Sequence, residues 1–175
     1  MNKKNVIVLV VIFNVVLAAS IIALYFTVFD GYNRDEEWTI TISGDITQEV
    51  SLNISELELL PKISQEYIIQ GNPTFSAEYT GISLLYLIND IANITQDVNV
   101  NVKAIDQYSH TLNFKNEIET NSDIIIAYMK NGEYIKSYSD GGEGPLRLII
   151  PQKFEGDFNG QFCIKFVVEI EIIAL

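Results

Sequence analysis

The segment Asp140-Gly-Gly-Glu-Gly-Pro-Leu-Arg-Leu-Ile-Ile-Pro151 constrains the fold of this 175-residue chain more than any other. Gly141, Gly142 and Gly144 permit tight turns and close backbone approach, and Pro145 then fixes one φ. Leu146, Leu148, Ile149 and Ile150 follow as an apolar run of β character, so a buried strand is expected. Arg147 stands inside that run. A guanidinium pinned to a rigid, buried element must face an anion or a carbonyl-rich partner. Two readings follow. In one, Arg147 supplies fixed charge to a ligand and the glycine loop supplies backbone donors. In the other, the loop is a structural turn and Arg147 pairs with Asp106 or Glu143.

The rest of the chain reads as mixed α+β with more strand than helix. Trp38–Ser43 alternates and is β-branched, a strand signal. Ser55 with Glu58 has the spacing of a capping box for a short helix closed by Pro61. Between Ile82 and Ile91, the residues Leu84, Leu85, Leu87, Ile88 and Ile91 recur at helical spacing, which predicts a helix with one core-facing stripe. Val98–Ala104 alternates apolar and polar residues, and Thr111–Phe114 does so in outline. His110 falls in Tyr108-Ser-His-Thr111, expected to be an exposed turn. Ile124–Met129 and Leu146–Ile150 are continuous apolar runs, as in strands buried on both faces. Phe162–Ile172 is expected to close the sheet.

From Val6 to Phe29 only Asn14, Ser20 and Thr27 interrupt an apolar run. About 20 such residues cross a bilayer as a helix. Lys3 and Lys4 precede the run, which places the amino terminus in the cytoplasm and the remainder outside. A cleavable signal peptide competes, because Leu17-Ala-Ala-Ser20 is rich in small residues. The apolar run nevertheless continues for nine residues past Ser20, so an uncleaved anchor is the expectation. The division is residues 1–29 as cytoplasmic terminus and anchor, 30–37 as polar linker and 38–175 as an extracytoplasmic domain at the cell membrane. The expected partners are the lipid bilayer, through residues 6–29, and a membrane or cell-surface protein.

Charge excludes one class of partner. Beyond Phe29 lie all 23 acidic residues, against the nine basic ones left once Lys3 and Lys4 are set aside, a formal charge near −14. Nucleic acid, which needs a basic face, is excluded. The single cysteine, Cys163, has no partner for an internal disulfide and reads as a small buried hydrophobe. Asn53-Ile-Ser55 and Asn93-Ile-Thr95 are acceptor patterns for N-glycosylation in an exported domain. One histidine cannot build a histidine metal site. No serine sits in a nucleophile elbow, and no glycine loop carries the lysine of a phosphate cradle.

The segment Gly141–Pro151 resembles the G-G-P-L-R-L-V-V-P signature of the sulfite-oxidase-type molybdopterin-binding domain family. Trp38-Thr-Ile-Thr-Ile-Ser-Gly44 resembles its opening strand, and Ser55-Glu-Leu-Glu-Leu-Leu-Pro61 its first short helix. Tyr79-Thr-Gly-Ile-Ser-Leu-Leu85 is similar to its W-x-G-V-x-L segment, with Tyr79 in place of tryptophan. Val102-Lys-Ala-Ile-Asp-Gln-Tyr108 is similar to a strand ending in D-G-Y, with Gln107 in place of glycine. Ile124–Gly132 and Phe162–Ile172 resemble later strands, so the likeness spans Trp38 to Ile172 in the family's order. The resemblance implies a β-rich α+β sulfite-oxidase-type fold, preceded here by one transmembrane helix. It also implies a pocket formed by Arg147, Gly142, Gly144, Asp106, Tyr108, Gln70 and Asn72.

One departure governs the chemistry. The family binds molybdenum through a cysteine thiolate near the end of a strand. The corresponding stretch, Glu66-Tyr-Ile-Ile-Gln-Gly-Asn-Pro73, puts Ile69 or Gln70 there, and neither supplies a soft anionic sulfur. Molybdopterin is thus implied by resemblance while its metal anchor is missing, and no cofactor is assigned with its ligands complete. The expectation is a binding or interaction module without molybdenum catalysis. The alternatives are an active molybdopterin oxidoreductase with another ligand, and an accessory subunit of a membrane electron-transfer complex.

Overall fold

A computed structural model of the chain describes residues 38–175, together with Leu17 and Ser20. The expected anchor and linker otherwise lie outside the described residues. Among the described residues no helix is long and apolar enough to cross a membrane. Trp38–Leu175 forms one compact unit.

Two five-stranded sheets carry this unit. The first has the order β2 (Val50–Asn53), β1 (Thr39–Gly44), β10 (Val167–Ala174), β5 (Val98–Ala104), β6 (Ser109–Asn113). Its β1 and β10 run parallel, with Ile42 opposite Ile170, and its other pairs are antiparallel. The second sheet follows β3 (Lys62–Ile69), β4 (Phe75–Ser83) and β7 (Ile125–Lys130). Both β8 (Glu133–Tyr134) and β9 (Arg147–Ile149) pair with β7, away from β4. Apolar residues from both sheets merge into one core that includes Ile42, Val100, Ile126 and Leu148. Each such fully buried aliphatic side chain contributes about 1.5–3 kcal/mol. The burial of β5 alternates residue by residue, as its sequence predicts, whereas β9 is buried on both faces.

Several local boundaries differ from the sequence reading. The short helix α1 (Ile54–Glu58) is capped by Asn53, whose side chain accepts from Glu56 N while Glu56 accepts from Asn53 N. The capping box therefore lies two residues before the Ser55/Glu58 pair, because Asn53 ends β2 in extended backbone that suits a cap. Strand β4 continues through Ile82 and Ser83, which pair with Ile126 and Ile125, so helix α2 begins only at Leu84. It runs Leu84–Tyr86 and continues as a π-helical turn, Leu87–Ile91, burying Leu84, Leu87 and Ile88. The last strand starts at Val167, five residues beyond Phe162, and places Cys163 in the preceding loop.

Gly81 shows why the tyrosine-x-glycine stretch of β4 has its form. A Cβ at this position would lie 2.2 Å from Ile126 O on β7. Only glycine lets these two strands approach so closely.

Candidate functional site

Arg147 opens β9 opposite Ala127, and the apolar strands around it leave it 3% exposed. One terminal nitrogen, Nη1, donates to the Tyr79 hydroxyl at 3.2 Å and to the Glu143 carboxylate. Its Cζ lies 5.8 Å from the centroid of the Tyr79 ring. Arg147 Nε is buried with no hydrogen-bond partner. Glu143 also receives Lys165 Nζ at 3.2 Å and Lys130 Nζ at 3.7 Å, so three cations converge on one carboxylate. Lys130 further lies over the rings of Phe75 and Tyr79, at 4.7 and 5.7 Å. Burial raises the Glu143 carboxyl, yet Arg147, Lys165 and Lys130 outweigh it and hold the group below its usual range. Burial pushes the Tyr79 phenol up to about 12, leaving it a neutral donor and acceptor.

The glycine loop turns its amides inward. Gly144 N donates to Lys136 O, Gly142 N to Ser137 O and Gly141 N to Tyr138 O, at 2.8, 2.8 and 3.0 Å. A Cβ on Gly142 would sit 2.0 Å from Lys136 O. Gly142 and Gly144 are explained by packing against Lys136 and Ile135, and all three amides donate to carbonyls of the preceding segment. Of the two sequence readings of Arg147, the observed partner is Glu143.

The other expected site residues form a second group. Gln70 N donates to Asn159 Oδ1 at 2.8 Å, and Gly160 N donates to Gln70 O at 3.1 Å. Tyr108 OH donates to Gln161 O at 2.8 Å, so Gln70 and Tyr108 both hold the Asn159–Gln161 turn. Asp106 accepts from Tyr108 N at 3.0 Å within an exposed turn, and Asn72 is exposed beside Pro73. Among the described residues, no hydrogen bond or ion pair joins this group to the Arg147 cluster. Asn159 escaped the sequence reading. It is 1% exposed, and its amide donates to Ile68 O and Ile150 O at 2.9 and 2.7 Å. Lys130 and Lys165 escaped as well. The Phe-Asn-Gly pattern before Gln161 signals a turn, but a buried asparagine in a turn looks like an exposed one.

His110 is not in an exposed turn. It lies in β6 opposite Val102, half-buried, with its ring stacked 4.6 Å from that of Phe162. Gln107 takes φ +72°, which tightens the preceding turn enough for the strand to resume at Ser109. Burial lowers the His110 pKa below 6.5; Glu117 opposes this and Lys153 adds to it.

A family model described as the oxidoreductase molybdopterin-binding domain matches residues 29–174. Chains of solved structures match in 27 cases. One is the sulfane dehydrogenase SoxCD from Paracoccus pantotrophus, 15% identical with a TM-score of 0.63. That alignment covers 81% of this chain and 39% of the SoxCD chain, and it shows a shared fold. No curated protein matches significantly.

The donor set can be tested against a thiolate-held molybdenum. Of the two residues expected at the thiolate position, Ile69 is aliphatic and 2% exposed, and Gln70 carries an amide, so neither offers sulfur. Cys163 is buried, accepts from Ile150 N at 3.4 Å and donates to Ile150 O at 3.7 Å. Burial raises its pKa against the opposing effects of Ile150 N–H and Arg147, so the thiol stays protonated at neutral pH. Among the described residues no cluster of three His, Cys, Asp or Glu side chains is placed to hold a metal. These residues do not fit molybdenum held by a protein thiolate.

Proposed function

The chain belongs to the oxidoreductase molybdopterin-binding domain family, and from that premise we propose that it is a membrane-anchored binding module working without molybdenum catalysis. The observation that carries this reading is the lack of sulfur at Ile69 and Gln70, either of which stands at the thiolate position, combined with an Arg147 charge already matched by Glu143. A family fold persists when the chemistry grafted on it has been lost. Residues 6–29 anchor the domain in the bilayer, with residues 1–5 cytoplasmic and residues 38–175 extracytoplasmic. The acidic surface suits contact with a cell-surface protein and opposes contact with nucleic acid. Asn93 is exposed and available to a glycosylating enzyme, whereas the Asn53 carbonyl oxygen caps α1.

Elemental analysis of the full chain, purified in mild detergent from its native membrane, tests this reading. Molybdenum and tungsten far below one per chain are expected. Stoichiometric metal would replace the binding module with an oxidoreductase whose ligand comes from elsewhere, a reading that the unpartnered Arg147 Nε favours.

A further inference from the structure

We propose that the cavity between β6 and the loop from Ile150 to Phe162 binds a small organic cation, an amine with one ring or a short aliphatic body. The cavity measures about 160 Å³. An apolar cavity of about 150 Å³ in an unrelated protein accepts one benzene molecule, which sets the size of ligand. Leu112, Ile150 and Phe162 supply apolar wall, and His110 is stacked on Phe162.

The polar lining selects the sign of the ligand. Glu117 and Asp157 contribute two carboxylates, against the single ammonium of Lys153. The Lys153 side chain is 64% exposed, and its Nζ lies 3.0 Å from Glu117 Oε1. Burial raises the Glu117 carboxyl, but Asn113 N–H and Lys153 outweigh it, so Glu117 is ionised at neutral pH. His110 is neutral there and lends no positive charge. The lining therefore carries about one net negative charge within a chain of net charge −12, which favours a cation over an anion.

The carboxylate of Asp157 and the imidazole of His110, both on the cavity wall, mark where the ammonium sits. Asp157 Oδ2 accepts from Lys153 N at 3.0 Å, which holds its carboxylate at the cavity wall. Asn159 lines the same cavity, but its amide is spent on Ile68, Ile150 and Gln70. An amine held between the Asp157 carboxylate and the His110 imidazole rests its body on the apolar wall. This site shares no residue with the Arg147 cluster and does not depend on the metal content of the protein.

The chain contains one histidine, so its imidazole C–H resonances report this site without overlap. The full chain in nonionic detergent, above pH 7, is titrated with benzylamine, benzyl alcohol and benzoate. Benzylamine is expected to shift the His110 resonances saturably, with Kd on the order of a millimolar for so small a ligand. Asp157→Asn is expected to weaken it roughly tenfold, the loss of one charge-assisted hydrogen bond. Lys153→Ala is expected to tighten it about two- to fivefold by removing a competing ammonium. General damage to the fold would not produce that opposite sign. The proposal is overturned if benzylamine gives no saturable shift, if benzoate binds as tightly, or if Lys153→Ala weakens the amine.

Discussion

Glu143 matches the buried charge of Arg147 from four residues away in sequence, and it does so from a loop while Arg147 is fixed in a strand. The charge of Arg147 is thereby matched within the chain, while its Nε stays without a hydrogen-bond partner. Breaking a buried ion pair from one side costs about 3–5 kcal/mol, because the remaining charge is left uncompensated. Glu143 is 30% exposed, which lets water relieve part of that cost. Glu143→Gln is therefore expected to destabilise the domain by about 2 kcal/mol, read as a lower urea midpoint at unchanged slope. Adding Arg147→Met should restore at least half of the loss; a double variant no more stable than Glu143→Gln alone would contradict the pairing.

Acid should act through the same carboxylate. Its folded pKa lies below the ordinary value of 4.5, so its contribution is complete above that value and disappears as pH falls through the folded pKa. The wild-type domain is expected to lose stability below pH 4.5 more steeply than Glu143→Gln. Parallel curves of melting temperature against pH for the two proteins would refute this.

His110 acts in a higher window. Its folded pKa lies below 6.5, so the unfolded chain binds the proton more readily. Stability present above pH 6.5 then falls as pH drops toward the folded pKa. The C–H resonances of His110 should titrate with a midpoint below 6.5, and His110→Phe, keeping a ring against Phe162, should flatten that part of the stability profile. A midpoint at or above 6.5 would show that the ring is more hydrated than its packing indicates.

Cys163 should be chemically silent. Its thiol is buried and held to Ile150 in both directions, with its pKa raised. Thiol reagents are expected to modify the folded chain on the order of a hundredfold more slowly than the denatured chain. Equal rates would place the sulfur at a surface.

Two glycines separate packing from flexibility. Gly142→Ala would thrust a Cβ to within 2.0 Å of Lys136 O, whereas Gly71→Ala meets only Pro73 O at 3.7 Å. The first is expected to cost more than about 2 kcal/mol and the second to stay within about 0.5 kcal/mol. Comparable melting temperatures for the two variants would remove the steric account of the glycine loop.

Much of the architecture is legible in the chain because strand periodicity is local. Val98–Ala104 alternates in sequence and alternates in burial, and the run around Arg147 is apolar because both faces of β9 are covered. What escaped depends on distant partners. Ile82 suits either a helix stripe or a strand face, and its pairing with Ile126, 44 positions on, decides for the strand. The spacing of Glu143 and Arg147 admitted their pairing, but Lys130 from β7 and Lys165 from the loop before β10 reach Glu143 only in the folded chain. The lack of a cysteine in Glu66–Pro73 needed no structure, since neither Ile69 nor Gln70 carries sulfur. The position of His110 did need one, because Tyr-Ser-His-Thr continues a turn or begins a strand with equal ease until the backbone of Gln107 is known.

The parallel pairing of β1 with β10 has a kinetic consequence. β10 is the middle strand of its five, so β1 and β5 have no direct contact as neighbours until it arrives. The partners Thr41 and Glu169 are 128 positions apart, and closing so long a loop makes assembly slow. During synthesis the first half of the domain must wait with its central gap open. A nascent chain halted before Val167 would present two unfinished edges, ready to recruit a chaperone or a second unfinished copy.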